Sequence, residues 1–326
     1  DESGPIDRLR QLHALRISKP RNILTPEHLS KTWNVGLETA RKTIEATTCR
    51  HYRNIQDGIS RKFRPRRNFL RYKQLRLPAG EFYSDTFISK IKSVRGYGYM
   101  QIYGNKFGFM KAYPMESKNR DDVGSTLTVF IQDVGVPQKL HTDNAPEMVG
   151  RKTPFFKRAR KEGIDLTTIE PDRPDENYGE ILVKMTKQGT AKMMIKKRVP
   201  MRLWCYAAEF YTERHSLTVP GMYRNKGRTG YEITLGVTPD ISEYVDFDFY
   251  DYCFYWDNPQ SYPQEKKHIG RWLGIAHRVG QALVYWIMND NGVVIARSTV
   301  IPLKPEDYDV DENKERMKDL DRKSVV

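Results

Sequence analysis

Glu81-Phe-Tyr-Ser-Asp-Thr-Phe-Ile-Ser89 is the stretch on which the fold turns. It is rich in aromatic and β-branched residues, as a strand requires, and carries an acid, Asp85, at its middle. The same character runs to about residue 91 and returns over 97–104 and 107–113, with Arg95-Gly96 and Asn105-Lys106 between. Three consecutive antiparallel strands are therefore predicted. The period then changes. Val123, Leu127, Phe130, Ile131 and Val134 fall at helical offsets 0, 4, 7, 8 and 11, predicting a helix over 119–134 that Gly135-Val-Pro137 ends. A fourth strand follows over 138–142, then a helix (151–162), a strand (164–169) and a helix (175–197). Three strands followed by alternating helices and strands make an α/β layout on a mixed five-stranded sheet.

Around this core, which the pattern places at 78–219, the chain divides by composition. Residues 1–24 are polar and basic and read as disordered. In 25–49, Thr25 caps a helix with Pro26 at its first position, and Leu37, Ala40 and Ile44 repeat at helical spacing after an Asn34-Val-Gly36 turn. That pair fits a DNA-reading helix-turn-helix or a plain helical hairpin. Residues 50–77 form a basic linker, and a further helix is expected over 201–216. Residues 220–243 read as a glycine-punctuated linker. Short β segments with Trp256, Trp272 and Trp286 over 244–303 suggest a small β-barrel, its last hairpin turning at Asn289-Asp-Asn-Gly292. The charged tail 304–326 reads as disordered.

The balance of charge narrows the partners. The chain holds 55 Lys+Arg against 41 Asp+Glu, a net +14, which favours a polyanion and nucleic acid before membrane. Residues 50–77 supply ten basic side chains against one acid, Asp57, with Tyr52, Phe63, Phe69 and Tyr72 interleaved. Arg64, Arg66 and Arg67 lie at its centre, and either a solvated linker or a phosphate-contacting strip suits this composition. Three cysteines without a C-x-x-C pair argue against a disulfide framework or a cysteine-rich zinc site and point to a reducing intracellular compartment. No apolar run approaches membrane-spanning length. The chain opens on Asp1 rather than Met and reads as a piece of something longer.

Three carboxylates carry the chemistry. Asp85 is mid-strand; Asp143 ends Lys139-Leu-His-Thr-Asp-Asn144; Glu180 follows Pro174-Asp-Glu-Asn-Tyr-Gly near the start of a long helix. Thirty-six residues separate Asp143 from Glu180. This layout can bring all three to one edge of one sheet. Oxygen donors so placed suit two hard divalent cations, Mg²⁺ or Mn²⁺, which clamp the attacking and leaving oxygens of a phosphoryl transfer. Lys184 and Lys187 lie four and seven residues after Glu180, on the same helical face.

Phe82-Tyr-Ser-Asp-Thr86, Leu140-His-Thr-Asp-Asn-Ala145 and Glu170-Pro-Asp-Arg-Pro-Asp-Glu-Asn-Tyr-Gly-Glu180 resemble the catalytic motifs of integrases of long-terminal-repeat retrotransposons, copia-type elements in particular. The likeness continues through Pro200-Met-Arg-Leu-Trp204, Gly227-Arg-Thr-Gly-Tyr-Glu232, Thr238-Pro-Asp-Ile-Ser-Glu243 and Gly270-Arg-Trp-Leu-Gly274, so it spans about residues 25–303. It implies a ribonuclease-H-like core whose catalytic and metal-binding triad is Asp85, Asp143 and Glu180. It also implies end processing and strand transfer of double-stranded element DNA into target DNA, Lys184 and Lys187 at the DNA ends, and a homo-oligomer. In a eukaryotic host the nucleus is the expected destination, and Arg61–Arg67 suits either nuclear import or a DNA-contacting arm. Two departures stand out: no His-His-Cys-Cys zinc module is present, and Gly230 stands where the family's motif has proline. A ribonuclease H-type nuclease and a non-catalytic DNA- or chromatin-binding protein derived from a mobile element are the competing readings.

Overall fold

The computed structural model describes residues 24–49, 76–168, 178–257, 267–280 and 282–324. Strand β1 (Glu81–Ile88) is the centre of a five-stranded sheet. It pairs antiparallel with β2 (Tyr99–Gly104), which pairs antiparallel with β3 (Met110–Met115). On its other side β1 runs parallel to β4 (Lys139–Thr142), and β4 parallel to β5 (Asp165–Thr168). The resulting order, β3-β2-β1-β4-β5, is the mixed sheet of a ribonuclease-H-like core. Strand boundaries move slightly from the sequence expectation. β1 stops at Ile88, and β3 runs to Met115 with Pro114 inside it, which the sheet tolerates because β3 is an edge strand.

Strand alternation sends neighbouring side chains of β1 into two different cores. Phe82 joins Tyr103, Leu140 and the buried face of α3 (Arg120–Asp133), whose Val123, Leu127, Phe130 and Ile131 keep the expected period. Phe130 stacks on Tyr103 at 4.5 Å, and Asn119 caps the helix by accepting from Asp122 N–H at 2.7 Å. The expected helix over 151–162 is two pieces, α4 (Pro146–Val149) and α5 (Pro154–Lys161), the second capped by Thr153 with Pro154 in its first turn.

Tyr83 and Phe87 face the other way, under α6 (Tyr178–Lys197) and α7 (Trp204–Leu217). The two helices meet closely: a Cβ at Gly189 of α6 would lie 2.0 Å from the Tyr211 ring of α7. This core continues into an antiparallel sheet of β6 (Tyr252–Trp256), β7 (Lys267–Ile275), β8 (Tyr285–Met288), β9 (Val294–Arg297) and β10 (Val300–Pro302), ordered β10-β6-β7-β8-β9. Trp272, fully buried, stacks on Phe247 at 5.3 Å and meets Phe210 of α7 edge-on at 5.1 Å. Lys197 at the end of α6 bridges Asp248 (2.9 Å) and Asp251 (2.6 Å), so an ion pair joins the same two layers.

The helical pair near the start, α1 (Pro26–Trp33) and α2 (Leu37–Ala46), is built into this core. The Trp33 indole N–H donates to the Tyr244 carbonyl at 3.0 Å, and the His28 ring hydrogen-bonds the Val245 carbonyl at 2.9 Å. Their turn rests on Asn34 at φ 52°; Gly36 has φ −60° and uses none of its extra freedom. The stretch expected to be a linker contains the helix α8 (Gly230–Leu235). The tail expected to be disordered forms α9 (Asp311–Ser324). Its acids at the start and bases at the end complement the helix dipole, and Met317 and Leu320 bury its inner side. Asp321 accepts from Tyr252 at 2.7 Å and pairs with Arg271 at 2.5 Å. Among the described residues no helix is long and apolar enough to cross a membrane.

Gly230, where the resembled motif has proline, is explained by contact. A Cβ there would lie 2.5 Å from both the Gly108 carbonyl carbon and the Phe109 nitrogen. Backbone atoms of a tight turn cannot yield as a side chain can. Gly230→Ala is therefore expected to cost about 1–3 kcal/mol, the range of an overpacked core. Chemical denaturation measures it, and an unchanged midpoint would unseat α8 from the β2–β3 turn.

Candidate active site

The parallel ladder between β1 and β4 builds the site. Its register pairs Glu81 with Lys139, Phe82 with Leu140, Tyr83 with His141 and Ser84 with Thr142. The next step along both chains is Asp85 beside Asp143. Neighbouring strands lie about 4.8 Å apart, so two carboxylates leave adjacent backbones at the carboxyl end of β4. They share a face with the pair two positions back, because side chains in a strand alternate. That pair is Tyr83 and His141, whose rings stack at 4.6 Å and 13°.

Helix α6 lies across the same face. Its first residue, Tyr178, meets the Tyr83 ring edge-on at 5.2 Å, and the Lys187 ammonium sits 5.3 Å from the Phe87 ring centroid. Nine helical residues rise about 13 Å, and four strand residues from Tyr83 to Phe87 also rise about 13 Å. Helix and strand thus run in step, and Glu180 falls between the two anchoring contacts, as Asp85 does on the strand. Glu180, Lys184 and Lys187 are exposed, and Asp85 and Asp143 are half-buried.

On the reverse face, β1 is fixed to β2 by a buried polar chain. Gln101, fully buried, donates to Ser84 Oγ at 2.6 Å and accepts from the Thr86 hydroxyl; Ser84 Oγ donates to the Ile102 carbonyl at 3.0 Å. Such a network, satisfied within itself, holds a strand in one register. His141 is held at its Nδ1 by a 2.8 Å hydrogen bond with the Thr167 hydroxyl of β5.

The acids feel one another. Burial is the largest influence on Asp85 and raises its carboxyl to about 6; the charges of Asp143 and Glu180 push the same way. The Thr86 N–H, donating to Asp85 Oδ1 at 2.7 Å, and the Lys118 ammonium oppose them. Asp143 is also raised, by burial first, with Glu147 adding to it and Lys118 and the Ala145 N–H opposing. Lys118 is paired with Glu147 at 2.9 Å and so stands as a fixed cation beside both aspartates.

The donor set fits a hard cation in pairs. Asp143 Oδ1 is buried with no hydrogen-bond partner, and a carboxylate oxygen left so is costly unless something positive satisfies it. Among the described residues no three His, Cys, Asp or Glu side chains stand close enough to hold one ion together. Magnesium needs no such cage, since one or two carboxylates and the substrate's phosphates usually complete its shell. Asp85 and Asp143 are two carboxylates on neighbouring backbones, and Glu180 is near enough for its charge to act on Asp85.

Of the residues expected from sequence, Asp85 and Asp143 stand on neighbouring backbones and Glu180, Lys184 and Lys187 are exposed on α6, while Arg64, Arg66 and Arg67 lie outside the described residues. Lys118, Glu147 and Gln101 were not expected. No periodicity marks Lys118, which stands in the loop between β3 and α3. The Tyr83/His141 floor did leave a signal, because both aspartates follow an aromatic ring by two residues.

No family model matches the chain, and no curated protein matches it. Among solved structures it is similar to the catalytic core domain of BIV integrase, at 18% identity over 48% of this chain and 93% of that one, with TM-score 0.38. It is similar to the HTLV-2 integrase catalytic core in complex with magnesium, at 17% identity over 48% of this chain and 97% of that one, with TM-score 0.38. A third similarity is to the simian T-cell lymphotropic virus intasome in complex with PP2A regulatory subunit B56 gamma. There the identity is 15% over 72% of this chain and 85% of that one, with TM-score 0.37.

The raised Asp85 carboxyl has a stability signature. Below its ordinary value of 3.8 it is protonated in both states; between 3.8 and about 6 the unfolded chain gives up the proton first, and stability falls as pH rises. Asp85→Asn is therefore expected to stabilise the metal-free protein at pH 7.5 by about 1–3 kcal/mol and to give no gain below pH 4. Added magnesium should raise the melting temperature of the parent chain and leave that of the variant unmoved. An equal gain at all pH values would remove the buried charge of Asp85 as the cause.

Proposed function

We propose that this chain is an integrase-type polynucleotidyl transferase acting on double-stranded DNA. The observation that carries the reading is Asp85 beside Asp143 in one parallel ladder, its carboxyl raised further by the charge of Glu180. Two magnesium (or manganese) ions, one at Asp85 with Asp143 and one at Asp85 with Glu180, would supply positive charge at the attacking and leaving oxygens of a phosphodiester.

The chain's own residues position the DNA around that centre. Lys184 and Lys187 extend from the exposed face of α6 one and two turns beyond Glu180, where their ammonium groups meet backbone phosphates. Lys118 balances the two aspartates, so both can hold their charge with DNA in place. The stacked Tyr83 and His141 rings keep β1 and β4 from sliding apart as repulsion builds, and the Gln101 network fixes β1 to β2. In joining, a free 3′-hydroxyl of one duplex end attacks a phosphodiester of a second duplex. One P–O bond forms in line as another breaks, and the displaced strand leaves with its own 3′-hydroxyl. Bringing two ends together calls for more than one copy of the chain. The basic segment carrying Arg64, Arg66 and Arg67 suits the duplex flanking the site.

Nicking and joining of a duplex oligonucleotide with magnesium, run beside Glu180→Gln, tests this. The variant is expected to lose joining by about a hundredfold or more while binding DNA as the parent does, because lysine and arginine contacts to phosphate supply the affinity. Cleavage confined to RNA–DNA hybrid would assign a ribonuclease H. Binding without turnover by the parent would assign a non-catalytic DNA-binding protein, and loss of binding by the variant would make Glu180 structural.

A further inference from the structure

Ten residues join β1 to β2, and they point apolar side chains at solvent. Ile91 and Val94 are each 41% exposed, and beside them Ile88, the last residue of β1, is 60% exposed and Met201 64%. They are presented on a fixed loop. The Trp204 indole donates to the Ile91 carbonyl at 2.9 Å, Val94 N–H donates to the Arg202 carbonyl at 2.8 Å, and Ser93 N–H donates to the Tyr97 carbonyl at 2.8 Å. Arg95 then turns inward, pairs with Glu209 at 3.0 Å and lies 3.7 Å from the Tyr206 ring centroid. A loop so tied could bury these side chains only by breaking those bonds.

Its surroundings carry one sign of charge. Lys90, Lys92 and Arg202 are exposed among the apolar residues, and among the described residues none of them enters an ion pair. No acid occurs from Thr86 to Met115 or from Ile181 to Ala208, the two stretches that form this surface. Ile88 follows Asp85 by three strand residues, about 10 Å, roughly three base-pair steps of a duplex.

We propose that this loop is a DNA wedge: Ile91 and Val94, supported by Ile88 and Met201, insert at a base step of duplex DNA while Lys90, Lys92 and Arg202 hold the flanking phosphates. Apolar side chains rimmed by cations insert between base steps at the expense of stacking and bend the duplex. The inference rests on the integrase-type reading and adds to it a device that deforms the DNA lying beside the carboxylates. Flexible pyrimidine–purine steps unstack most readily, so they are the preferred positions.

The test uses the full chain in EDTA, so no turnover is needed, and a duplex with 2-aminopurine at a central TA step. Binding by the parent is expected to raise 2-aminopurine fluorescence. The double variant Ile91→Ser/Val94→Ser, altered only at exposed positions, is expected to lose that rise while its affinity falls no more than a fewfold and its salt slope stays unchanged. Lys90→Gln/Lys92→Gln is expected to keep the rise at saturation, with the slope of log K against log salt reduced by about 1.8. An undiminished rise in the serine variant overturns the wedge. So does loss by that variant of binding to phosphatidylcholine–phosphatidylserine vesicles with its DNA signal intact, which would assign the patch to a membrane surface. Intact unstacking by a parent chain that never joins DNA would fail the transferase reading alone, whereas joining without unstacking would fail the wedge alone.

Discussion

Everything at this site depends on the register between β1 and β4. A parallel pair holds its side chains at fixed opposition, and a slip of one residue would turn every one of them to the other face. With Ser84 opposite Thr142, the next residues out are two aspartates that repel each other. The sheet must hold them together against that repulsion. Stacked Tyr83 and His141 tie β1 to β4 on the site face, while on the reverse face Gln101, threading between Ser84 and Thr86, fixes β1 to β2. The apolar core contributes a third restraint through Phe82 and Leu140 beneath α3.

Helix α6 converts a two-carboxylate edge into a three-carboxylate one, and its placement is equally constrained. Tyr178 on Tyr83 and Lys187 over Phe87 set both the height and the rotation of the helix. A rigid helix pinned at two points places everything between them, Glu180 included. Lys187 serves both ends of this arrangement. Its ammonium rests over the Phe87 ring, which orders a side chain that would otherwise sweep through solvent.

How much of this was legible in the chain varies with the range of the interaction that decides it. The sheet could be read because strand and helix periods are local and the order of segments restricts the topology. The aspartate pair could be read because each lies at the same offset from a strand's hydrophobic core. Lys118 could not, since its role comes from a loop that tertiary packing folds back over two other segments. α9 was hidden by its own charge: twelve of its fourteen positions look soluble, and the two that anchor it, Met317 and Leu320, have meaning only once a partner surface exists. The helical pair near the start could be read as helices, but nothing local announced that Trp33 would reach the Tyr244 carbonyl.

The second sheet is where sequence and packing part company most. Composition separates it from the first sheet, yet Phe210 of α7, Phe247, Trp272 and Tyr285 pack as one cluster that is continuous with Tyr83 and Phe87 under α6. Buried polar links follow the same seam. Glu213 of α7 is buried between the Lys111 ammonium and the His277 ring, the latter at 2.7 Å; burial pushes its carboxyl up, but His277 and Lys111 outweigh that and hold it well below the usual carboxylate range. His277 is the partner on the second sheet's side, so separating that sheet from α7 would take from a buried carboxylate one of its two partners. The helix that carries Glu180 is backed by α7, and α7 by that sheet. The rigidity of the candidate site is therefore a property of both layers, and the close approach at Gly189, where any side chain would strike Tyr211, is what lets them transmit it.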